Sequence, residues 1–227
     1  MDIPILFQDS RFVVLNKPAG LAVHAGPRGG PSVEDCFPAL SRRRDGPWLA
    51  HRLDADTSGC LVVALRRAAL HAAQAEFAAG RAEKIYWAVV SGHPGADRGT
   101  VDAPLLKTTH PSGWRMAINP AGQRAVTDWL LRGHAAGTSW LELRPRTGRT
   151  HQIRVHCAAL GCPLLGDATY GTAGGMLHLL ARSITLALEP ELTATAPVPG
   201  HMRMAMSRLG GEEGRAPPEP AKGQRPL

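Results

Sequence analysis

The apolar positions at the start of the chain fall in short runs. Ile5-Leu6-Phe7 and Phe12-Val13-Val14-Leu15 flank the turn dipeptide Asp9-Ser10, which predicts a β-hairpin. Asn16-Lys17-Pro18-Ala19-Gly20 then breaks the strand, because proline and glycine impose special backbone angles. Ser32 with Asp35 has the form of a helix start and predicts a short helix over 33–40. The basic loop Ser41-Arg42-Arg43-Arg44-Asp45-Gly46 follows. Residues 60–65 read as a buried strand. Residues 67–79, with Leu70, Ala73 and Phe77 on one face, read as a helix stopped by Gly80. Lys84-Ile85-Tyr86-Trp87-Ala88-Val89-Val90 is rich in aromatic and β-branched residues and predicts a strand. The Gly-, Pro- and Thr-rich stretch 92–122 predicts loop with short strand pieces. Strands are expected over 126–131 and 140–143. Thr150 is expected to cap a helix that carries Ile153, Cys157 and Leu160 on one side and ends at Gly161. Another extended segment is expected over 177–188. From Gly210 apolar periodicity ceases, so 210–227 is expected to be a disordered tail behind a folded part over 1–209.

Composition narrows the class. The chain has 227 residues, 44% of them hydrophobic, enough for a core. No apolar run approaches the ~18 residues of a membrane span. The first residues lack the basic and long apolar segments of a signal peptide. The four cysteines are irregularly spaced, so reduced thiols and a cytoplasmic location are expected. The net charge is +7. The tail carries three acids (Glu212, Glu213, Glu219) and three bases (Arg215, Lys222, Arg225), so all of that charge sits on the folded part. Such a balance favours polyanionic partners, nucleic acid among them.

Three constellations could carry chemistry. His51-Arg52-Leu53-Asp54-Ala55-Asp56-Thr57-Ser58-Gly59 places charge on the lip of a buried strand. Asp54 there can serve as nucleophile or general base, provided a fixed cation keeps it ionised out of water. A surface turn held by aspartates is the plain alternative. The segment 144–154 is the densest cationic stretch and runs into a helix start. Backbone N–H groups and arginine forks at such a place suit phosphate oxygens; a solvated basic loop is the plain alternative. Tyr86, one of two tyrosines, is either core or a floor for a stacked base. His151, His156, Cys157 and Cys162 lack the spacing of zinc ligands, so no metal is expected. Phosphate-cradling glycine motifs and Gly-x-Ser-x-Gly are absent.

Taken in order, several segments resemble the RluA-like family of RNA pseudouridine synthases. They are 16–24, His51-Arg52-Leu53-Asp54 with Thr57-Ser58-Gly59, 84–92, 146–156, 161–167 with Tyr170-Gly171, and Ala196-Pro197-Val198-Pro199. The resemblance covers 5–209. It implies an α+β pseudouridine synthase fold: a mixed, largely antiparallel bent sheet with flanking helices and a catalytic cleft. It implies Asp54 as the catalytic aspartate, Tyr86 against the uracil, and Arg154 as the basic partner of Asp54. Lys17, His51, Arg52, Arg149, His151 and Ile153 are the expected substrate contacts. Cys60 departs from the family's usual leucine. No small RNA-binding module is expected ahead of the catalytic domain, so RNA selection is expected to fall to that domain.

The implied reaction breaks the N1–C1′ bond of a uridine in rRNA or tRNA, turns the base and rejoins it through C5. It needs no redox change, so no cofactor is implied. The uridine must leave its stack, which costs a few kcal/mol. RNA is the expected partner, a membrane is not, and a monomer is expected. Two rival readings are a non-catalytic RNA-binding protein and a glycosidase using Asp54 and Asp56.

Overall fold

The computed structural model describes residues 2–26, 29–42, 45–111 and 113–210; the expected tail from 211 onward, and Arg43 and Arg44 of the basic loop, lie outside them. Strands β1 (Ile5–Gln8) and β2 (Phe12–Lys17) form the expected hairpin. Asp9 shapes its turn, because its Oδ1 accepts the backbone N–H groups of Arg11 and Phe12 at 2.7 and 2.6 Å. A 3₁₀ turn (Val33–Cys36) leads into α1 (Phe37–Leu40), and Asp35 Oδ2 accepts the N–H of Ser32 at 2.9 Å, closing the helix start. The short strand β3 (Trp48–Leu49) precedes β4 (Ser58–Ala64), which is buried along its whole length. Then come α2 (Arg67–Ala78) and β5 (Glu83–Ser91).

The stretch 92–122 is more ordered than its composition suggests. It holds β6 (Arg98–Asp102), β7 (Leu105–His110) and β8 (Gly113–Ile118). β7 and β8 pair with each other as a two-stranded hairpin outside the main sheet, and Leu105 of β7 also bridges Gln123. Its side chains are mostly half-buried or exposed, so no clean apolar alternation marks it. β9 (Val126–Ala135), β10 (Thr138–Pro145), α3 (Gln152–Ala159) and β11 (Leu179–Leu186) follow. β12 (Leu192–Thr195) and α4 (Gly200–Arg208) were not legible in the sequence pattern.

The main sheet runs β1-β2-β4-β11-β5-β10-β9-β6, with β3 on β4 and β12 on β11. Its pairings are antiparallel except β4 with β11, which run parallel through Ser58↔Leu180 and Gly59↔Ala181. This is the mixed, largely antiparallel α+β sheet with flanking helices that the resemblance implies. Gly59 is required at the parallel junction. Its φ is +108°, and a Cβ there would strike the carbonyl of Ala181.

The two faces of the sheet are covered differently. One carries a continuous core that joins Phe12, Val62, Trp87, Val89 and Trp140 to Ala73 of α2 and Met202 and Met206 of α4. The other carries two separate cores. Val13, Leu15, Leu61 and Val63 pack with Val33 and Cys36; Ala88, Val90, Leu141 and Leu143 pack with Ile153 and Cys157 of α3. Tyr86 is half-buried and touches both of these cores. The gap between them is where the cleft opens.

Candidate active site

A cleft of about 580 Å³ lies over that gap. Its walls come from the segment before β4 (His51, Arg52, Leu53, Asp54), the start of β5 (Lys84, Tyr86) and the segment 145–154 leading into α3. Two stretches remote in sequence therefore face each other across it.

The Asp54 loop is a tight turn in which Asp54 O accepts the N–H of Thr57 at 3.1 Å. The turn is braced from β2. Lys17 is fully buried, and its ammonium donates to the carbonyls of Pro18, Leu21 and Ala55 at 2.9, 2.7 and 2.7 Å. Burial pulls the Lys17 pKa down to about 8, against the opposing pull of Asp56 and Asp54. The expected substrate contact at Lys17 is therefore corrected: its ammonium is spent on three carbonyls and supports the loop that presents Asp54. The Asp54 side chain is 26% exposed and opens on the cleft. Asp56 is exposed and is not part of the cleft wall, which removes the paired-carboxylate arrangement of a glycosidase.

Neighbouring residues of the motif point different ways. Arg52 is exposed at the rim. His51 borders the cleft, but its Nε2 accepts the backbone N–H of Val62 at 3.0 Å and its ring packs on Phe77 at 5.0 Å. Burial and then Lys84 lower its pKa to about 4, so it is neutral. The ring thus anchors the segment to β4 while it borders the cleft.

Lys84 and Tyr86 share one face of β5 and both reach the cleft. Burial first, and then the charge of Asp54, push the Tyr86 phenol well above its ordinary pKa. It is a neutral hydroxyl in the neutral range. Lys84 was not singled out from the sequence. Its ammonium lies 3.5 Å from Thr147 O, burial lowers its pKa, and among the described residues it forms no ion pair with a carboxylate.

The opposite wall is held by Gln152. Its Oε1 accepts Thr147 Oγ1 and the N–H of Arg149 at 2.7 and 3.0 Å, and its Nε2 donates to Val126 O and Thr127 Oγ1, both at 2.9 Å. Thr150 does not cap α3. His151 occupies the N-cap in the left-handed region, with φ 53° and ψ 17°. Arg149 is exposed and its Nε donates to Arg124 O at 3.1 Å; Ile153 is a buried part of the wall.

Arg154 departs from expectation. Its Nε and Nη2 donate to Asp167 Oδ2 and Oδ1 at 2.8 and 2.7 Å, with both side chains buried. Burial would raise the Asp167 pKa, but Arg154 and the N–H groups of Thr169 and Tyr170 hold it below the usual carboxylate range. Arg154 is thus anchored by Asp167, not hydrogen-bonded to Asp54. It still lines the cleft with Asp54 and feels its charge. The guanidinium also lies 5.1 Å from the ring centroid of Tyr170. Among the described residues, Asp54 makes a charged-type contact with His151, Nε2 to Oδ2 at 3.9 Å.

The zinc alternative lacks its ligands. His156 is committed through Nδ1 to Thr127 Oγ1 and through Nε2 to Ala103 O, at 2.9 and 3.1 Å. Among the described residues no group of three or more His, Cys, Asp or Glu side chains is arranged to hold a metal. Nor is any helix of these residues long and apolar enough to cross a membrane.

Comparison with known proteins settles the class. The family model described as RNA pseudouridylate synthase matches residues 11–159. The chain belongs to the RluA-like family of RNA pseudouridine synthases. One similar relative, an uncharacterised RNA pseudouridine synthase of Zymomonas mobilis, is 40% identical over 205 residues, spanning 86% of this chain and 93% of that protein. The ribosomal large subunit pseudouridine synthase C of Vibrio cholerae is 35% identical over 218 residues, covering 90% of this chain and 69% of its own. Among solved structures, human RNA pseudouridylate synthase domain containing 4 superposes with a TM-score of 0.77 at 29% identity, covering 91% of this chain and 92% of that one. This pseudouridine synthase is therefore an enzyme that isomerises uridine in RNA to pseudouridine.

Proposed function

We propose that this pseudouridine synthase acts on a uridine of structured ribosomal RNA, through Asp54, in the cleft described above. What carries the reading is the joint opening of Asp54 and Tyr86 into one cleft with arginines on its rim. Ribosomal RNA is preferred over transfer RNA because the similar Vibrio cholerae protein is named for the large ribosomal subunit.

In this reading the RNA backbone rests on the basic rim, where Arg52 and Arg149 are exposed. The target uridine leaves its stack and enters the cleft. Asp54 attacks the sugar or base, or removes a sugar proton, as the N1–C1′ bond breaks. The detached uracil turns against the Tyr86 ring, C5 bonds to C1′, the C5 proton leaves and N1 takes up a proton. The reaction is an isomerisation, so the chain's own residues suffice for its balance. Lys17 and Arg154 supply fixed positive charge within reach of Asp54, each held by other partners. That arrangement places positive charge near the carboxylate without blocking it by a direct ion pair. The neutral Tyr86 hydroxyl can exchange a hydrogen bond with the loose base.

We further propose that 1–209 is the working unit, that it acts as a monomer, and that it works in the cytoplasm; the four cysteines, all free and buried, fit a reducing compartment. Mapping pseudouridines across total cellular RNA, with and without the protein, tests the substrate. Loss of a site in large-subunit ribosomal RNA is expected; loss confined to transfer RNA would overturn that assignment.

A further inference from the structure

His151 combines features that a wall residue does not need. It is one of two non-glycine residues with positive φ among the described residues, and it stands where the cationic segment becomes α3. A non-glycine side chain in that region is held there by its surroundings. Here the surroundings are specific. The ring stacks on Trp114 of the β7–β8 hairpin, with centroids 5.2 Å apart and planes 26° from parallel. Its Nδ1 lies 2.8 Å from Tyr170 Oη, and that oxygen accepts the backbone N–H of Met116, also in the hairpin, at 2.9 Å. Its Nε2 faces Asp54 Oδ2 at 3.9 Å.

These contacts are best satisfied by one tautomer. Tyr170 Oη has one proton to give, and among the described residues His151 Nδ1 is the acceptor within reach. Nδ1 must then be unprotonated, so the proton of the neutral ring is on Nε2. The alternative tautomer would turn a nitrogen lone pair toward the Asp54 carboxylate and strand the phenol proton. Burial lowers the pKa of His151, although Asp54 pulls the other way.

We propose that His151 is a positioning residue for Asp54, set in its Nε2–H tautomer by Tyr170 and in its plane by Trp114, so that the seating of the β7–β8 hairpin is transmitted to the reacting carboxylate. The gap of 3.9 Å is longer than a hydrogen bond and would shorten when RNA fills the cleft, as such contacts do on substrate binding. The proposal rests on the reading of Asp54 given above. Met116, Leu105 and Tyr170 pack with Val155 of α3, which gives the hairpin a defined seat.

Tyr170→Phe tests it, because it removes one hydroxyl and keeps the ring beside Arg154. Two-bond ¹H–¹⁵N spectra of the full chain would read the tautomer, with His151→Asn assigning the signal; asparagine tolerates positive φ. The expected results are a neutral Nε2–H ring in the unaltered protein and, for Tyr170→Phe, a kcat about tenfold lower with KM for RNA within about twofold. An Nδ1–H ring in the unaltered protein, an unchanged kcat, or a rise in KM alone would overturn the inference. Asp54→Asn, assayed alongside, separates the two ideas. If it is inactive while Tyr170→Phe turns over normally, only this inference fails; if it remains active, the catalytic reading beneath it fails.

Discussion

Arg154 grips both carboxylate oxygens of Asp167, at 2.8 and 2.7 Å, and meets Asp54 only across the shared cleft. A guanidinium bonded directly to Asp54 would hold that carboxylate in a resting ion pair. Anchored on Asp167 instead, Arg154 contributes charge and a fixed wall. Asp167→Ala would leave a buried, unpaired guanidinium, and the expected loss of stability is about 3–5 kcal/mol. Urea unfolding measures it. A loss under about 1 kcal/mol would mean that Arg154 finds an equivalent partner.

Lys17 supports the Asp54 turn from beneath. Lys17→Met keeps the length of the stem and removes all three donors to Pro18, Leu21 and Ala55. The expected cost is about 3 kcal/mol, since buried carbonyls lose charge-assisted bonds. Activity should fall through a lower kcat, measured below the unfolding temperature, because the turn loosens. RNA affinity should be nearly unchanged; a large loss of affinity with normal stability would restore Lys17 as an RNA contact.

His51 predicts a pH window. Its folded pKa, about 4, lies below the unfolded value of about 6.5. Between these values the unfolded chain binds a proton that the folded chain refuses. The stabilising effect is therefore complete above about pH 6.5 and is lost as pH falls toward 4, by about 3 kcal/mol at most. Burial shifts His151, His156 and His178 in the same direction, so the whole protein should weaken over that range. His51→Gln should flatten the slope of unfolding free energy between pH 6.5 and 4. An unchanged slope would show that His51 does not carry this term.

Much of this was legible in the chain itself, for identifiable reasons. The β1–β2 hairpin and α2 have strong local signals: a turn aspartate and an apolar stripe closed by Gly80. Asp54 and Tyr86 sit in motifs whose order carried the family resemblance. Partnerships were harder to read. Asp167 lies thirteen residues beyond Arg154 in a turn, and nothing local says that its carboxylate folds back onto α3. Lys17 was an expected substrate contact, and its burial among the Pro18, Leu21 and Ala55 carbonyls depends on two loops meeting. The contact of Trp114 with His151 depends on how a hairpin outside the main sheet is seated. β12 and α4 escaped because β12 is only four residues long and α4 buries only Met202 and Met206.

The most direct test is Asp54→Asn, which keeps shape and removes the negative charge. RNA labelled with tritium at C5 of uridine releases the label when C5 bonds to C1′, so release reads the isomerisation itself. With circular dichroism and RNA binding unchanged, release should fall to about a thousandth of the original rate or less. Release within about tenfold of the original would contradict the assignment of the reaction to Asp54.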